Sequence, residues 1–257
     1  MKQFIVDAFS ERIFHGNQAA ICVMDAWLTD ELMINIAREN NFSETAFTVK
    51  TNDGYEIRWF TPGGEVKLCG HATLATSYVL FRYYETDKNN LVFHSLSGDL
   101  LIGKDGDYIA MDFPMLRCRE IEITNLMAEA FGSMPLEAYI DDRLLLVYEN
   151  EQIIRNMKPD FEKVALLHEH GVAVTSAGSD YDCVSRFFAP RLKVNEDPVT
   201  GSAHCMIAPY WGERLGKKTI RAYQASERGG ELLCELREDR VVIKGKAALY
   251  SIGELCM

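Results

Sequence analysis

Short segments rich in β-branched and aromatic residues recur along the chain, and several alternate apolar with polar positions. Clear examples are Tyr55–Phe60, Asn90–His94 and Tyr108–Phe113. Short segments of this composition, with a period of two, are typical of strands that bury one face. The pattern therefore predicts a chain with many short strands.

Two longer stretches carry apolar residues on nearly every side of a helical wheel. The first runs from Gly70 to Tyr84, and the second begins at Gly201. A helix that is apolar almost all round is a buried helix. Pro209 lies inside the second stretch, and we expect it to kink that helix about four residues back along the chain.

Two further segments, near Thr29–Glu39 and Pro159–His170, have the one-sided pattern of amphipathic helices. Thr29 or Asp30 is expected to cap the first of them, because either side chain can accept from a backbone N–H of the first turn. The helices of this protein are thus predicted to be two buried and two at the surface.

The chain repeats itself once. Arg58–Pro62 returns as Arg186–Pro190, at an offset of 128 residues. Two further matches keep the same order at nearly the same offset. The first pairs Glu65, Gly70 and Ala72 with Glu196, Gly201 and Ala203, respectively. The second pairs Ser95–Leu100 with Glu227–Leu232. Three matches in register indicate an internal repeat.

The repeat divides the chain into an N-terminal half, residues 1–115, and a C-terminal half, residues 116–257. Each half is predicted to form strands wrapped around one buried helix, in an α+β fold. Because pockets favour the interfaces between domains, we expect the active site in the cleft between the halves.

Composition and charge narrow the class of protein. Lys and Arg number 27 against 38 Asp and Glu, which gives a formal net charge of −11, and no segment gathers the cations into a stripe. Binding to nucleic acid or to an anionic membrane would need a basic surface, so neither partner is expected.

Seven scattered cysteines with no CxxC pair are typical of reduced thiols. No apolar run reaches the ~20 residues of a membrane span, and Asp7 interrupts the N-terminal apolar segment, unlike in a signal peptide. A cytoplasmic protein is therefore predicted.

A glycine opens each of the two predicted buried helices, Gly70 in the first half and Gly201 in the second. A helix N-terminus presents unpaired N–H groups and a partial positive charge, and glycine lets a ligand approach the backbone closely. Such a helix end binds carboxylates or phosphates, and two of them facing each other would hold a small anion from both sides. For either end alone, a plain turn before a helix is the favoured interpretation.

Three side chains near these helices could take part in proton transfer. Glu44 lies between a helix and an apolar strand, where it is either a proton shuttle or an exposed glutamate at a strand entry. Asp197 precedes Pro198, which holds it in an extended conformation. Cys69 directly precedes Gly70, so it is either a thiol activated by the helix end or a small buried core residue.

Motifs for cofactors and metals are missing from the sequence. No G-x-G-x-x-G segment or P-loop is present, and His168-Glu169-His170 has no third ligand nearby. No cofactor and no metal ion are therefore predicted.

Six segments occur in order along the chain: Asp7–Phe9, Phe14–Asn17, Asn41–Thr45, Arg58–Pro62, Cys69–Thr73 and Glu196–His204. Together they resemble the motifs of the phenazine-biosynthesis PhzF-like family. The resemblance extends over nearly the whole chain, and the ordered set is far more specific than any one of its pieces. It implies the diaminopimelate-epimerase-like fold, in which two pseudo-symmetric halves each wrap a curved sheet around a central helix.

The resemblance also implies an activity. It indicates a cofactor-independent isomerase, in which one glutamate, here Glu44, moves a proton and thereby shifts a double bond. The family's characterised member is a homodimer that acts on a dihydro-hydroxyanthranilate, so we expect a homodimer and a small cyclic or amino-substituted carboxylic acid as substrate.

The family's remaining site residues can be assigned by their motifs. His71 and Asp197 are expected to position or relay protons beside Glu44. The substrate is expected to be bound by Gly70, Gly201, Ser202 and Ser43.

The sequence departs from related enzymes at one position that matters for chemistry. Epimerases of this fold use two opposed cysteines, whereas here Cys69 has Thr200 as its counterpart. Since a threonine hydroxyl has a far higher pKa than a thiol, two-base racemisation is disfavoured. Two alternatives stay open: a racemase or epimerase using Cys69 with another group, and a small-molecule binding protein that has lost turnover.

Overall fold

The computed structural model describes residues 1–256, which form eighteen strands and six α-helices. The strands are β1 (Lys2–Ala8), β2 (Asn17–Met24), β3 (Glu44–Lys50), β4 (Tyr55–Thr61), β5 (Gly64–Val66), β6 (Asn90–Ser95), β7 (Gly98–Asp105), β8 (Tyr108–Pro114), β9 (Arg119–Glu120), β10 (Glu137–Ile140), β11 (Leu144–Val147), β12 (Val172–Ala177), β13 (Cys183–Ala189), β14 (Val194–Asp197), β15 (Thr219–Gln224), β16 (Gly230–Leu236), β17 (Arg240–Gly245) and β18 (Ala247–Glu254). The helices are α1 (Asp30–Asn40), α2 (Gly70–Tyr83), α3 (Asn125–Phe131), α4 (Glu151–Asn156), α5 (Phe161–Leu167) and α6 (Gly201–Leu215).

The chain divides into two compact units. The first contains residues 1–112 together with the chain from Lys244 onward, and the second contains residues 113–243. This division differs from the predicted one, because the C-terminal segment belongs to the first unit. The reason is strand pairing: β18 runs antiparallel to β1, with Ala247 opposite Ala8 and Glu254 opposite Lys2.

In the first unit, consecutive strands pair in a regular succession. β1 pairs antiparallel with β2, β2 parallel with β3, β3 antiparallel with β4, and β4 parallel with β6. The hairpins β6–β7 and β7–β8 continue the sheet, and β5 folds back onto β4. Helix α1 and helix α2 occupy the two parallel crossovers, as parallel neighbours require a long connection.

The second unit repeats this succession. β10 pairs antiparallel with β11, β11 parallel with β12, β12 antiparallel with β13, and β13 parallel with β15. β14 folds back onto β13 as β5 does onto β4, and β15 pairs with β16. β4 and β13 begin at Tyr55 and Cys183, which is the offset of 128 residues found in the sequence. The predicted internal repeat is confirmed by this pairing.

Helix α2 is buried on nearly all sides, as predicted, and packs against β1, β2 and β3. It nevertheless contains three buried hydroxyl groups, those of Thr73, Thr76 and Ser77. Each donates to the backbone carbonyl four residues earlier in the chain, at 2.6–2.7 Å. Because these hydroxyls are satisfied locally, they can be buried without an unpaired polar group.

Helix α6 is the counterpart of α2 and runs unbroken through Pro209. Proline has no N–H, so the carbonyl of Cys205, four residues earlier, cannot receive the usual helical hydrogen bond. The backbone N–H of Leu116 donates to that carbonyl instead, at 3.0 Å. The segment before β9 thereby satisfies the carbonyl that the proline leaves free.

The first predicted amphipathic helix is α1, and its N-cap is Thr29, whose hydroxyl accepts from the N–H of Leu32. Met33, Ile36 and Ala37 face a core cluster of the sheet. The second is shorter than predicted, because α5 is capped by Asp160 and ends before His168. Within residues 1–256, no helix combines the length and the apolar composition needed to cross a membrane.

Candidate active site

Glu44 is the first residue of β3, immediately after the turn that ends α1. That turn contains Asn41 in the left-handed region (φ 51°), and Asn40 donates to the hydroxyl of Thr45 at 3.0 Å. On the parallel neighbour β2, Ala19 lies opposite Glu44. The Glu44 side chain is 18% exposed, so its carboxylate is largely shielded from water without being closed off.

The Glu44 carboxylate contacts the imidazole of His71, which lies in the first turn of α2. Nε2 of His71 is 3.2 Å from Oε2 of Glu44, and the histidine side chain is only 6% exposed. Burial lowers the pKa of His71 to about 4. A hydrogen bond with the backbone of Gln18 acts in the opposite direction and raises the pKa, but its effect is smaller. At neutral pH the imidazole is therefore uncharged and carries a single proton.

Two side chains lie against the other ring nitrogen of His71. The amide Nδ2 of Asn17 is 3.2 Å from Nδ1, and the thiol sulfur of Cys69 is 3.5 Å from the same atom. Asn17 and Cys69 are both buried, at 1% and 7% exposure. The imidazole is thus held on one side by an amide and a thiol and on the other by a carboxylate.

The N-terminus of α2 differs from those of the surface helices. Thr29, Asn150 and Asp160 cap α1, α4 and α5 through their side chains, whereas the N-cap residue Cys69 makes no such bond. The first turn of α2 contains no acidic residue either. Its N–H groups are thus left to other acceptors, as in a helix end that binds an anion.

In the second unit, Thr200 takes the position that Cys69 has in the first, directly before α6. Its hydroxyl donates to the carboxylate of Asp197, at the end of β14. The fully buried Gln224 connects the same residues, because its amide oxygen accepts from the N–H of Thr200 and its amide nitrogen donates to the carbonyl of Asp197. These bonds hold Asp197 beside the start of α6.

The first turn of α6 resembles that of α2 in having no side-chain cap and no acidic residue. Gly201 is buried and Ser202 is half-buried. Below them, the fully buried His204 has Nδ1 2.9 Å from the carbonyl of Thr200 and Nε2 3.4 Å from the hydroxyl of Ser185. Burial lowers the pKa of His204 to about 4, so this histidine is also neutral.

The sequence-predicted residues thus fall into two groups. In the first unit, Glu44 and His71 are in contact, with Cys69 and Gly70 at the start of the same helix and half-buried Ser43 directly before Glu44. In the second unit, Asp197, Gly201 and Ser202 lie around Thr200. The catalytic and binding roles of all these residues stay predictions.

The sequence assigns no role to two residues that lie in these groups, Asn17 and Gln224. Asn17 belongs to one of the family-like motifs, but the sequence cannot show that it contacts His71. Gln224 lies 24 residues after Thr200 and contacts it only through the fold. No periodicity in the sequence could have indicated that contact.

Glu44, Cys69 and His71 are also the group with metal-ligating potential within residues 1–256. One ligand atom from each lies within 4.8 Å of the others, and thiolate, imidazole and carboxylate are donors that suit a Zn²⁺-like ion. The prediction that the protein needs no metal is therefore open to a direct test with a chelator.

A model of the phenazine biosynthesis-like protein family, PhzC-PhzF, matches residues 6–253. The chain belongs to this family. An uncharacterized isomerase from Pseudomonas aeruginosa is 48% identical over 98% of this chain and 97% of its own length. The crystal structure of a phenazine biosynthesis protein of the PhzF family from Enterococcus faecalis is 47% identical and superimposes with a TM-score of 0.98, covering 100% of this chain and 99% of that one.

Membership of the PhzC-PhzF family confirms two predictions. The fold is diaminopimelate-epimerase-like; a hydroxyproline epimerase from Agrobacterium vitis, only 9% identical, shares it with a TM-score of 0.64 over 98% of this chain and 91% of that one. Relatives at 40–48% identity are named isomerases, and the prediction of an isomerase is confirmed at that level.

Proposed function

We propose that this PhzF-like isomerase moves a proton between two carbons of a small cyclic or amino-substituted carboxylic acid, with Glu44 as the single acid/base and without a cofactor. The observation that carries the proposal is the contact between the Glu44 carboxylate and the buried, neutral imidazole of His71. This contact orients a carboxylate that is 18% exposed, so a bound substrate can reach it.

The proposed reaction has two proton transfers. Ionised Glu44 removes a proton from a carbon made acidic by conjugation, and the electron pair of that C–H bond enters the conjugated system. Protonated Glu44 then returns the proton to a second carbon on the same face. A double bond moves, and the product is an isomer of the substrate. His71 keeps the carboxylate oriented through both steps, since general acid–base catalysis depends on positioning within hydrogen-bond reach.

The substrate carboxylate is proposed to bind at the N–H groups that begin α2, near Gly70. Support comes from the missing side-chain cap and from the absence of acidic residues in that turn. A helix N-terminus stabilises a bound anion through its N–H groups and its dipole. The resemblance implies a proton-positioning role for Asp197. It implies substrate binding by Ser43, Gly201 and Ser202. These roles remain predictions, to be tested one substitution at a time.

Racemisation through two thiols has less support. The counterpart of Cys69 is Thr200, and its hydroxyl already donates to Asp197. Cys69 itself lies against His71 and could act as a single thiol base. Solvent deuterium entering the α-position of an amino acid, abolished by Cys69→Ala and unaffected by Glu44→Gln, would favour that alternative.

The direct test replaces Glu44 by Gln, which keeps the shape of the side chain and removes its proton-transfer capacity. Dihydro-hydroxyanthranilate and related unsaturated amino-carboxylates are incubated in D₂O with EDTA present, and deuterium uptake and double-bond migration are followed by NMR. The variant is expected to lose about 10²–10⁴-fold in rate. Glu31→Gln, at an exposed glutamate of α1, is the matched control and should keep full activity.

Three outcomes would overturn parts of the proposal. If Glu44→Gln keeps more than about a tenth of the rate while binding normally, the single-base mechanism is wrong. If EDTA abolishes activity and a divalent cation restores it, the prediction of no metal is wrong. If carboxylates bind tightly and none exchanges a proton, the protein is a binding protein rather than an enzyme.

A further inference from the structure

The second unit contains a cavity of about 820 Å³ that the proposed reaction does not use. It lies between β10, the C-terminal half of α6 and residues 115–118. Its lining on α6 runs from Met206 to Arg214, well past the helix start at Gly201. Because ligand pockets in proteins measure about 300–1,000 Å³, the cavity has the size of a site for a small organic molecule.

The internal repeat explains why space is left at this place. β10 corresponds to β1, since each pairs antiparallel with the next strand of its unit. On its other side, β1 is paired along its whole length with β18, which also contacts α2. The strand β9 on the other side of β10 has only two residues, opposite Tyr139 and Ile140. The central helix of the second unit therefore has a shorter cover on this side, and the cavity opens there.

The interior of the cavity is apolar. Its lining includes Met115, Leu116, Leu145, Met206, Pro209 and Leu236. Leu145 and Met206 are almost completely buried, at 0% and 1% exposure. The N–H groups of Met115 and Leu116 donate to the carbonyls of Asp239 and Cys205 at 2.9 and 3.0 Å, so this wall is held in place. An apolar group that enters the cavity leaves water, which favours its binding.

Three of the charged groups in the lining already have partners. The carboxylate of Glu137 accepts from the hydroxyls of Tyr139 and Tyr210, at 2.7 and 3.0 Å. It also forms an ion pair with Arg214 at 2.6 Å. Lys217 is paired with an aspartate outside the cavity. These groups compensate one another and do not call for a charged ligand.

The two remaining charges of the lining are exposed and belong to Arg117 and Glu213. Neither of them makes an ion pair within residues 1–256, with each other or with a third group. One available cation and one available anion beside an apolar interior are complementary to a zwitterion with an apolar body. A ligand with only one charge would leave the other side chain without a partner.

We propose that this cavity binds an α-amino acid with a large apolar side chain. Its carboxylate pairs with Arg117, its ammonium group pairs with Glu213, and its side chain enters the apolar interior. Charge-assisted hydrogen bonds of this kind give orientation as well as affinity. The site is separate from the proposed reaction, because neither Glu44 nor Asp197 takes part in it.

Three related compounds test the class of ligand on the full-length protein. L-phenylalanine has both charges, 3-phenylpropionate lacks the ammonium group, and phenethylamine lacks the carboxylate. L-phenylalanine is expected to shift the ¹³C-methyl NMR signals of Met115 and Met206, assigned with Met115→Leu and Met206→Leu, and to leave the signal of Met33 in the first unit unchanged. Each singly charged compound should bind about tenfold more weakly, since a hydrogen bond to a charged group is worth that much.

Variants at the two exposed charges test the contacts. Arg117→Gln should weaken L-phenylalanine about tenfold and leave phenethylamine unchanged, whereas Glu213→Gln should weaken L-phenylalanine equally and leave 3-phenylpropionate unchanged. Arg119→Gln, at an exposed arginine outside the lining, is the matched control and should bind like the unaltered protein. Glu44→Gln should also keep the Met115 and Met206 shifts, so that a failure of the proposed catalytic mechanism does not affect this test.

Four results would overturn the inference. The first is that millimolar L-phenylalanine leaves the Met115 and Met206 signals unchanged. The second is that 3-phenylpropionate or phenethylamine binds as tightly as L-phenylalanine, and the third is that both charge variants bind it normally. The fourth is that the two methyl signals respond to protein concentration instead of the amino acid, which would mean that a second copy of the chain covers the cavity.

Discussion

At the scale of single residues, the two units place a neutral histidine in the first turns of their central helices. His71 contacts a carboxylate, and His204 bonds the backbone of its own helix start. For both, burial lowers the pKa to about 4. Since an unfolded histidine titrates near pH 6.5, the unfolded chain binds protons that the folded protein excludes.

This difference predicts how stability depends on pH. Because each histidine has a lower pKa in the folded protein than in the unfolded chain, protons bind preferentially to the unfolded chain. The resulting stability is fully present above pH 6.5 and is lost as the pH falls toward 4. Each of the two histidines is expected to contribute up to about 3 kcal/mol over that interval. The measurement is the free energy of unfolding in urea at several pH values.

His204→Asn isolates one of the two contributions, because the asparagine amide can still donate to the carbonyl of Thr200. The wild-type protein should lose more stability than this variant between pH 6.5 and 4, by about 3 kcal/mol. Equal losses in the two proteins would show that His204 takes up its proton in the folded state.

At the scale of elements, the loop between β1 and β2 contains three residues in the left-handed backbone conformation. Phe9, Phe14 and Gly16 have φ values of 62°, 71° and 70°. Non-glycine residues rarely adopt this region, and such residues gather at functional sites where the surroundings hold them in place. Here the loop delivers Asn17 to His71, so its conformation and the geometry of the candidate site are linked.

Gly16→Ala tests that link. Alanine would have to adopt a positive φ, at a cost of about 1–2 kcal/mol, and its Cβ would also collide with the carbonyl oxygen of Ala8. We expect a loss of unfolding free energy well beyond that cost, measured by denaturation in urea. Gly106→Ala is the matched control, since Gly106 has a φ of +59° and a Cβ added there would meet no atom within 4 Å.

Comparison with Gly106→Ala separates the cost of the left-handed conformation from the cost of the collision with Ala8. Gly106→Ala should lose only the cost of the left-handed conformation. If both variants lose the same stability, the close approach to Ala8 has no energetic effect and the loop can shift to relieve it.

At the scale of the whole molecule, the last strand completes the first unit. β18 covers the edge of β1, and the two strands keep register over the whole length of β1 with one irregularity between Ile5 and Val6. Only one of the eight residues of β18 is buried and four are exposed, so its contribution is chiefly the backbone ladder. The homodimer implied by the family resemblance stays a prediction.

Removing β18 is therefore expected to destabilise the first unit. A chain that ends at Lys246 leaves β1 with β2 as its remaining partner and loses on the order of 5 kcal/mol, from backbone hydrogen bonds worth about 0.5–1.5 kcal/mol each. Hydrogen exchange should show β1 and β2 losing protection. A chain that ends at Glu254 keeps the whole strand and is the control; equal protection in both chains would mean that β18 does not stabilise the sheet.

Much of the fold was predictable because its signals are local. The all-round apolar stretches from Gly70 and Gly201 became α2 and α6, and the repeat offset reappears in the starts of β4 and β13. Residue types at fixed spacing carry such patterns directly. The same motifs identified Glu44 and His71 as candidates before any contact between them was known.

The sequence by itself determined that two similar units are present, which helices are buried, and which residue types stand at the helix starts. Only the tertiary structure decided which unit the C-terminal strand joins, since β1 and β18 pair across more than two hundred residues. It alone brought Asn17 to His71 and Gln224 to Thr200. The physical reason is that periodicity fixes which face of a segment is buried, whereas hydrogen-bond partners, and with them the protonation of a buried histidine, depend on distances that form only when distant segments pack.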